Sequence, residues 1–311
     1  MKKGLVIRST GSWYSVKDES GKIFNCKVRG KFRIKGIRST NPVAVGDQVF
    51  FDTAGDEDTG IITELLDRKN YIIRKSSNFS KHSHIIAANL DQALLVVTIN
   101  YPVTTTAFID RYLISAEAYR IPAILIFNKT DLYGKKEFQK LNEYKDIYEK
   151  IGYKCLEVSA VAKANIDQIK DILKDRISVI SGHSGVGKST LINVIDPNLN
   201  LKTKEISDYH RRGKHTTTYT EMFAIESGGY IIDTPGIKGF GVIDMYDEEI
   251  YHFFPEMFKL SKDCQYYNCT HTHEPGCAVK EGVENGTISE SRYISYLDIM
   301  AGDDKYRGPG Y

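Results

Sequence analysis

The segment 182–189 combines the residue types that proteins use to hold a chain of phosphates. It matches the pattern G-x-x-x-x-G-K-[ST], and with the next residue it reads Gly182, His183, Ser184, Gly185, Val186, Gly187, Lys188, Ser189, Thr190. Glycines let backbone N–H groups curl around phosphates, and the amino end of a following helix adds a positive dipole. We predict that Lys188 reaches the β- and γ-phosphates and that Ser189 holds Mg²⁺. An apolar strand pattern at 178–180 and a helical pattern at 190–195 flank the segment, which argues against a chance glycine-rich turn.

A second candidate phosphate-side motif follows further along the chain. Asp233-Thr-Pro-Gly236 closes another apolar strand. We predict that the Asp233 carboxylate holds the Mg²⁺ ion through water. The Gly236 N–H is expected to sense the γ-phosphate and to couple it to a mobile loop.

A third motif has the chemistry to select a base. It follows a strand pattern at 124–127 and consists of Asn128, Lys129, Thr130 and Asp131. The Asp131 carboxylate can accept from both N1–H and N2–H₂ of guanine, whereas adenine offers no such pair of donors. Asn128 can tie loops together near O6, the Lys129 stem can lie along the base, and the later pair Ser159-Ala160 can contribute backbone near O6. Alone, the motif would indicate a helix-capping turn; beside two phosphate motifs it predicts GTP rather than ATP, and it argues against a metabolic kinase.

The order of these motifs is unusual, because the base-reading motifs precede the phosphate-binding loop. Most GTPases have the opposite order. A cut and rejoining of the chain explains the difference, since a short link around 175–177 can join the helix after Ser159-Ala160 to the strand that enters the phosphate-binding loop. The same strands can then form the same sheet, and whatever follows Asp233–Gly236 is connected directly to the second switch.

A compact Cys/His cluster near the carboxyl end predicts a metal site. Its four ligands are Cys264, Cys269, His271 and Cys277. Three thiolates and one imidazole fill a tetrahedron, which is typical of structural zinc with no open position. His273 is a competing imidazole. The expected cytoplasmic setting disfavours a disulfide, and the leftover Cys26 and Cys155 are expected to be ordinary buried residues.

The strand and helix patterns divide the chain into three predicted domains. Residues 1–68 contain five short β-rich runs separated by turns, which predicts a small closed barrel of the OB-fold type. Residues 69–240 alternate strands with helix patterns at 108–119, 136–151 and 166–176, which predicts a parallel α/β sheet covered on both faces. Residues 241–311 are predicted to be α-rich around the metal site.

The formal net charge of +2 conceals an uneven distribution. Residues 1–40 hold 11 basic and 2 acidic residues, whereas residues 241–311 hold 6 basic and 13 acidic residues. Hydrophobic residues make up 41% of the chain, as in ordinary globular proteins. The sequence contains neither an apolar run long enough to span a bilayer nor a signal-peptide core, so we expect a soluble, cytoplasmic and monomeric protein.

Basic residues alternate along the third barrel strand and beyond it. Lys27, Arg29, Lys31, Arg33 and Lys35 occupy every second position. In an extended segment all five point to one face, which predicts contacts with the phosphate backbone of RNA. A solubilising edge strand is the alternative. Trp13, Tyr14 and Phe24 could stack on bases, although core packing is the expected role of each.

With these motifs, their permuted order, the barrel and the Cys/His cluster, the chain resembles the circularly permuted GTPases of the RsgA/YjeQ type over essentially its whole length. The resemblance implies an OB-fold, a permuted GTPase domain and a zinc domain, with His271 rather than His273 as the ligand. It also implies a late role in maturation of the small ribosomal subunit, with GTP hydrolysis stimulated by that subunit.

The resemblance further implies a first switch at 213–218. One of Thr216, Thr217 and Thr218 is expected to coordinate Mg²⁺, with Thr217 taken as the candidate. Ras-like enzymes orient the attacking water with a Gln after their second motif, but Ile237 stands at that position here. We therefore predict slow intrinsic hydrolysis and a substitute group supplied by the ribosome or by a rearranged switch.

His215 is the candidate within the chain for that substitute group, unless it only stabilises its loop. Arg211, Arg212 and Lys214 are either RNA contacts or solvated charge. In this interpretation GTP favours the subunit-bound state and hydrolysis favours release. The alternative is an RNA-binding module in which nucleotide only switches affinity and hydrolysis is incidental.

Overall fold

The computed structural model describes residues 1–28, 42–53, 58–75, 83–199, 220–233 and 247–302. The amino-terminal part is a closed five-stranded barrel formed by β1 (Lys2–Ser9), β2 (Tyr14–Asp18), β3 (Ile23–Val28), β4 (Gln48–Thr53) and β5 (Thr59–Leu65). The strands pair in the order β1-β2-β3-β5-β4, and β1 also pairs with β4, which closes the barrel. Only the β3–β5 pair among these is parallel. The predicted barrel is therefore confirmed.

Alternating side chains fill the barrel, as the period of a strand requires. Tyr14 and Phe24 are buried, as expected, and lie in one core cluster with Cys26. Trp13 is different, because its side chain is 42% exposed. Lys27 lies over the indole ring, with its Nζ 4.3 Å from the centroid. Core packing was therefore the wrong prediction for Trp13, which lies in the turn between β1 and β2.

The barrel is fastened to the following residues by a buried ion pair. Arg68 donates from Nε to Asp47 Oδ1 at 2.6 Å and from Nη2 to the Pro42 carbonyl oxygen at 2.9 Å. The Asp47 side chain is fully buried, and its carboxylate also accepts from the Ala44 backbone N–H. A two-stranded hairpin, β6 (Tyr71–Lys75) and β7 (Ser83–Ala88), follows.

The central sheet has the strand order β10-β9-β8-β11-β13-β12, in which only β12 is antiparallel to its neighbour β13. Its strands are β8 (Gln92–Val97), β9 (Ala123–Phe127), β10 (Lys154–Glu157), β11 (Ile177–Ser181), β12 (Thr220–Ala224) and β13 (Tyr230–Asp233). Its helices are α1 (Thr106–Ala118), α2 (Lys135–Ile151), α3 (Ile166–Leu173) and α4 (Lys188–Ile195). One apolar cluster covers the face with α1 and α2, and another covers the face with α3 and α4. This is the predicted parallel sheet covered on both faces.

The connectivity contains the predicted join. Helix α3 ends at Leu173, and a short link leads into β11 at the middle of the sheet. At the opposite side, β1 of the barrel pairs with β12 through Arg8 opposite Glu221 and Ser9 opposite Thr220. The barrel and the central sheet therefore form one continuous sheet of eleven strands within the described residues.

The carboxyl-terminal part, residues 247–302, is helical, as predicted, and we call it the C-terminal module. It contains α5 (Pro255–Leu260), α6 (Ala278–Glu284), α7 (Glu290–Met300) and a 3₁₀ segment, Asp247–Phe253. Ile114 of α1 packs in the same cluster as Ile250, Phe254 and Met257. The module thus packs directly on α1. None of the helices in the described ranges is both long and apolar enough to cross a membrane.

We predict that Arg68→Ala strongly lowers the free energy of unfolding of the barrel. The variant leaves the buried Asp47 carboxylate without its cation, a change that costs about 3–5 kcal/mol in buried pairs. Urea unfolding followed by the fluorescence of Trp13, the single tryptophan, measures the free energy of unfolding of the barrel.

The matched control is the adjacent Lys69→Ala. The Lys69 side chain is 49% exposed where it pairs with Asp91, so we expect a loss of at most about 1 kcal/mol. Equal losses in the two variants would contradict a structural role for the buried pair.

Candidate functional site

The phosphate-binding loop connects the end of β11 to the start of α4. Three of its glycines have positive φ angles that side chains rarely adopt, and at two of them a Cβ would also clash with a neighbouring strand or loop. Gly182 has φ 145°, and a Cβ there would lie 2.2 Å from the Val96 carbonyl oxygen. Gly187 has φ 96°, and its Cβ would lie 2.5 Å from Asn128 Nδ2. Glycine is therefore required at both ends of the loop for it to fit against the neighbouring strands.

Lys188 and Ser189 begin helix α4. The Lys188 ammonium donates to the Gly182 carbonyl oxygen at 2.7 Å and to the His183 carbonyl oxygen at 2.8 Å. The charged group therefore lies against the loop backbone, and Ser189, the next residue, is buried. A positive side chain at the amino end of a helix, inside a curl of backbone, has the chemistry to hold an anion of several phosphate groups.

The amide of Asn128 joins three loops. Its Nδ2 donates to the Val186 carbonyl oxygen of the phosphate-binding loop at 2.9 Å. Its Oδ1 accepts from the Ala160 backbone N–H at 3.1 Å. Asn128 itself follows β9, so one fully buried side chain connects the segments that leave β9, β10 and β11. The phosphate-binding loop, the Asn128 motif and the Ser159-Ala160 pair thus meet at one edge of the sheet.

Lys129 extends the same connection. Its ammonium donates to the carbonyl oxygens of Tyr101 and Gly185, each at 2.6 Å. These bonds hold the side chain along the outer edge of the phosphate-binding loop.

Asp131 is exposed at the mouth of the site, and Ser159 donates to its Oδ1 at 2.5 Å. Thr130 donates to the Val158 carbonyl oxygen at 3.0 Å. The arrangement leaves a carboxylate positioned to accept from a base with adjacent N–H donors, as guanine has.

His183 has a neighbour that sequence patterns did not indicate. Its imidazole stacks on the ring of Phe108 in α1, with centroids 3.8 Å apart and planes inclined by 27°. Burial and the Lys188 charge lower the pKa of His183, so the imidazole is neutral at pH 7. The sequence predicted only that Phe108 belongs to the helix pattern at 108–119, because no local signal reveals a partner 75 residues away in the chain.

Asp233 ends β13, and the register places it opposite Ile180 of β11. Its backbone therefore lies beside the strand that enters the phosphate-binding loop. The predicted switch residues Gly236, Thr216, Thr217, Thr218, His215 and Ile237 lie outside the described residues, as do the basic residues Arg211, Arg212 and Lys214.

The four ligands of the predicted metal site meet in the C-terminal module. One ligand atom from each of Cys264, Cys269, His271 and Cys277 lies within 4.8 Å of the others. His271 Nδ1 lies 3.6 Å from Cys264 Sγ and 3.5 Å from Cys277 Sγ, so this ring nitrogen faces the thiols and could serve as the fourth ligand atom. His273 is exposed and its Nδ1 contacts the Thr272 hydroxyl at 2.9 Å. Within the described residues the cluster therefore uses His271.

The donor set fits a tetrahedral divalent metal. Burial raises the pKa of Cys269 to about 12, so a cation is needed to hold a thiolate there. Two tyrosines of α7 fix the ligand loop, since Tyr293 donates to the His271 carbonyl oxygen at 2.7 Å and Tyr296 donates to the Thr270 carbonyl oxygen at 2.6 Å.

Glu274 orders the turn between the last two ligands. Its partial burial favours the protonated form, but the Thr270 hydroxyl and backbone N–H groups outweigh this and hold its pKa well below the usual range. The turn is therefore held by a carboxylate that stays charged.

The predicted basic face is described at one position. Lys27 is exposed in β3 beside Trp13, while Arg29, Lys31, Arg33 and Lys35 lie outside the described residues. Trp13 was named from the sequence as a possible stacking ring but was expected in the core, and its exposure beside Lys27 keeps it as a candidate RNA contact. The turn residues Gly11 and Ser12, directly before Trp13, were the available signal of its exposure.

Comparison with known proteins agrees with this arrangement. The model of the RsgA N-terminal domain matches residues 3–62, and the model of the RsgA GTPase matches residues 65–243. The chain is 60% identical over 306 residues to "Small ribosomal subunit biogenesis GTPase RsgA 2" of Bacteroides thetaiotaomicron, with 98% of each chain covered. It is 54% identical to a protein named small ribosomal subunit biogenesis GTPase RsgA of Christiangramia forsetii, with 99% of each covered.

Two solved structures are similar over nearly the whole chain. The crystal structure of YjeQ from Thermotoga maritima has a TM-score of 0.80 at 36% identity, covering 97% of this chain and 98% of that one. The structure of YloQ, described as a circularly permuted GTPase, has a TM-score of 0.77 at 32% identity, covering 100% of this chain and 97% of that one.

Proposed function

The chain belongs to the RsgA GTPase family, whose members hydrolyse GTP, and on that premise we propose that it acts on the small ribosomal subunit. In this proposal the protein binds the subunit late in its maturation, and the subunit accelerates the reaction of GTP with water to GDP and phosphate. GTP favours the bound state and hydrolysis favours release. The observation that carries the GTP part of the proposal is the Asn128 amide, which joins the base-reading and phosphate-binding loops at one sheet edge despite their permuted order. The subunit part is supported by relatives named small ribosomal subunit biogenesis GTPases, which match nearly the whole chain.

The roles of the nucleotide-site residues follow from their positions. Backbone N–H groups of 182–187 and the Lys188 ammonium hold the phosphates, since both line the same loop. Asp131, oriented by Ser159, reads guanine, and Asn128 fixes the backbone near O6. Ser189 and Asp233 would hold Mg²⁺, which neutralises charge on the phosphate oxygens when bound.

The residue that we propose to activate water lies outside the described residues. Ile237 offers no hydrogen bond to water, so the chain needs another donor or acceptor. His215 is the candidate, with Thr217 as the switch residue that senses the metal.

We further propose that the metal in the C-terminal module is zinc. Three thiolates and one imidazole leave no open position, which supports a structural rather than a catalytic ion. The ordered ligand loop and the exposed basic face at Lys27 would then contact ribosomal RNA from two sides, with Arg29, Lys31, Arg33 and Lys35 extending that face. Such a protein works as a monomer in the cytoplasm, where ribosomes mature.

We predict that purified small subunits raise the GTPase rate by roughly tenfold or more, because the chain lacks a residue to orient water at the usual position. The measurement is phosphate release with small subunits, with large subunits and without particles. Lys188→Ala provides the background rate. A rate that small subunits leave unchanged would refute the ribosomal part of the proposal.

A second experiment, which measures subunit affinity and the kinetics of release, separates release driven by hydrolysis from nucleotide switching of affinity. Subunit affinity measured with GDP and with a non-hydrolysable GTP analogue should differ at least about tenfold if nucleotide state controls release. Release that is independent of hydrolysis would favour an RNA-binding module instead.

We predict that Asp131→Asn shifts the base preference from guanine towards xanthine. The amide loses the paired acceptor for guanine but donates to the extra oxygen of xanthine, so GTP affinity falls by about 10- to 100-fold. Competition between GTP and XTP for a fluorescent nucleotide gives the ratio. The control is Asp146→Asn, an exposed carboxylate of α2, which should leave the preference unchanged. An unaltered preference in Asp131→Asn would exclude base reading by this residue.

We predict that His271→Ala loses the zinc ion while His273→Ala retains it. Of these two imidazoles, that of His271 lies among the three thiols and that of His273 is exposed, and structural zinc supplies most of the folding energy of small modules. Elemental analysis of the purified proteins gives the metal content, and near-ultraviolet circular dichroism follows the tyrosines around the site. Full metal content in His271→Ala would show that another group completes the site.

A further inference from the structure

Helix α1 touches both the phosphate-binding loop and the C-terminal module. At its first turn the Phe108 ring stacks on His183, with centroids 3.8 Å apart. Two residues later, Asp110 accepts from Arg292 Nη1 at 3.0 Å and from Ser295 Oγ at 2.6 Å, and both of these partners belong to α7. Residues two positions apart point to different sides of a helix. The helix is therefore held between the two parts of the protein.

The contact with the C-terminal module is buried and directional. Asp110 and Arg292 have no exposed surface. Arg292 also donates from Nε to Glu256 Oε1 at 2.7 Å, and its guanidinium lies 4.5 Å from the centroid of Phe254. Tyr148 of α2 donates from its hydroxyl to Asp110 Oδ1 at 2.9 Å. Because every group depends on the others for its hydrogen bonds, the module can adopt few other orientations on α1.

Apolar packing reinforces this docking. Ile114 lies one turn after Asp110 and therefore on the same side of α1. It packs within the apolar cluster of the module. Because the Asp110 hydrogen bonds and the Ile114 packing both hold α1, a shift of the C-terminal module would move the whole helix rather than one of its side chains.

The contact at the other side reaches the phosphate chemistry. The His183 carbonyl oxygen accepts from the Lys188 ammonium at 2.8 Å, so the position of this residue affects the lysine. Phe108 is itself fixed, because the Thr105 hydroxyl caps the helix and accepts from the Phe108 N–H at 3.3 Å. A shift of α1 would therefore move Phe108, and the stacked His183 would move with it and change the phosphate-binding loop.

We propose that Phe108 is a positioning residue for nucleotide binding, through which docking of the C-terminal module on α1 fixes the conformation of the phosphate-binding loop. The proposal rests on the nucleotide site proposed above. It has a reciprocal consequence, since a partner that shifts the module changes nucleotide affinity, and nucleotide changes affinity for that partner by the same factor.

The first test replaces the ring. Phe108→Leu keeps an apolar side chain but loses the stack, and we expect KM for GTP and Kd for GDP to rise about 2- to 10-fold, the value of one aromatic pair. The chemical step should keep its kcat, because the stack acts on the loop and not on the reacting atoms. Phe108→Tyr keeps the ring and should restore both constants. The control is Phe258→Leu, an exposed ring of the module with no described contact to the loop.

The second test uses a double-mutant cycle. Ser295→Ala removes one hydrogen bond to Asp110 while Arg292 remains, so the protein should fold and keep its metal. We expect it to weaken nucleotide binding about 2- to 5-fold in the parent chain but to have no further effect in the Phe108→Leu background. Metal content and circular dichroism establish that each variant is folded.

The outcomes are distinct. Additive effects of the two substitutions would overturn the connection through α1, and unchanged KM and Kd in Phe108→Leu would overturn the positioning role. Lys188→Ala separates these results from failure of the proposed site: if it still binds GDP with parental affinity, the nucleotide site is wrong. If it loses GDP while Phe108→Leu does not, the role of Phe108 alone is wrong.

Discussion

The fully buried amide of Asn128 is the interaction on which the candidate nucleotide site depends. A primary amide has donors on one side and an acceptor on the other, so it can join a carbonyl of one loop to an N–H of another. Here the partners are Val186 and Ala160, which belong to loops after different strands. Losing this amide would leave a buried N–H and a buried carbonyl without these bonds, which costs about 1–3 kcal/mol for each group. The Asn128 hydrogen bonds therefore stabilise the association of the three loops.

This constraint explains why the chain tolerates a permuted order. Strand order in the sheet is set by side-chain packing and backbone pairing, and neither requires a particular covalent link between α3 and β11. The permutation changes what the ends of the sheet are attached to. Strand β12 pairs with β1 of the barrel, and β13 leads towards the C-terminal module. The two strands nearest the predicted switches are thus attached to the two flanking parts.

The sequence predicted the features that are written in local patterns. Strand and helix periods gave the five-stranded barrel and the helices that begin near Thr106, Lys135 and Ile166. Residue type and spacing gave the Cys/His cluster, because its ligands lie within one short loop. The stack of Phe108 on His183 and the burial of Arg292 could not be found this way. Each depends on a residue far away in the chain, and an isolated Arg or Phe has no signature of its partner. The prediction of core packing for Trp13 was wrong for a related reason, since the exposure of a large ring in a turn depends on the course of the chain and not on the residue type.

The buried charges at α1 fix the orientation of the C-terminal module on this helix more than they stabilise the fold. Taking Asp110, Arg292 and Glu256 out of water offsets much of their mutual attraction, so an apolar contact of similar volume could be as stable. Burial raises the pKa of Asp110, and the Arg292 charge and the hydrogen bonds from Ser295 and Tyr148 counteract this. An apolar contact would permit α7 to slide or rotate on α1, however, whereas the guanidinium must meet two carboxylates at once. The ion triad therefore selects one docked position. Because only one docked position is favoured, a shift of the C-terminal module changes the position of α1, and through Phe108 it changes the phosphate-binding loop.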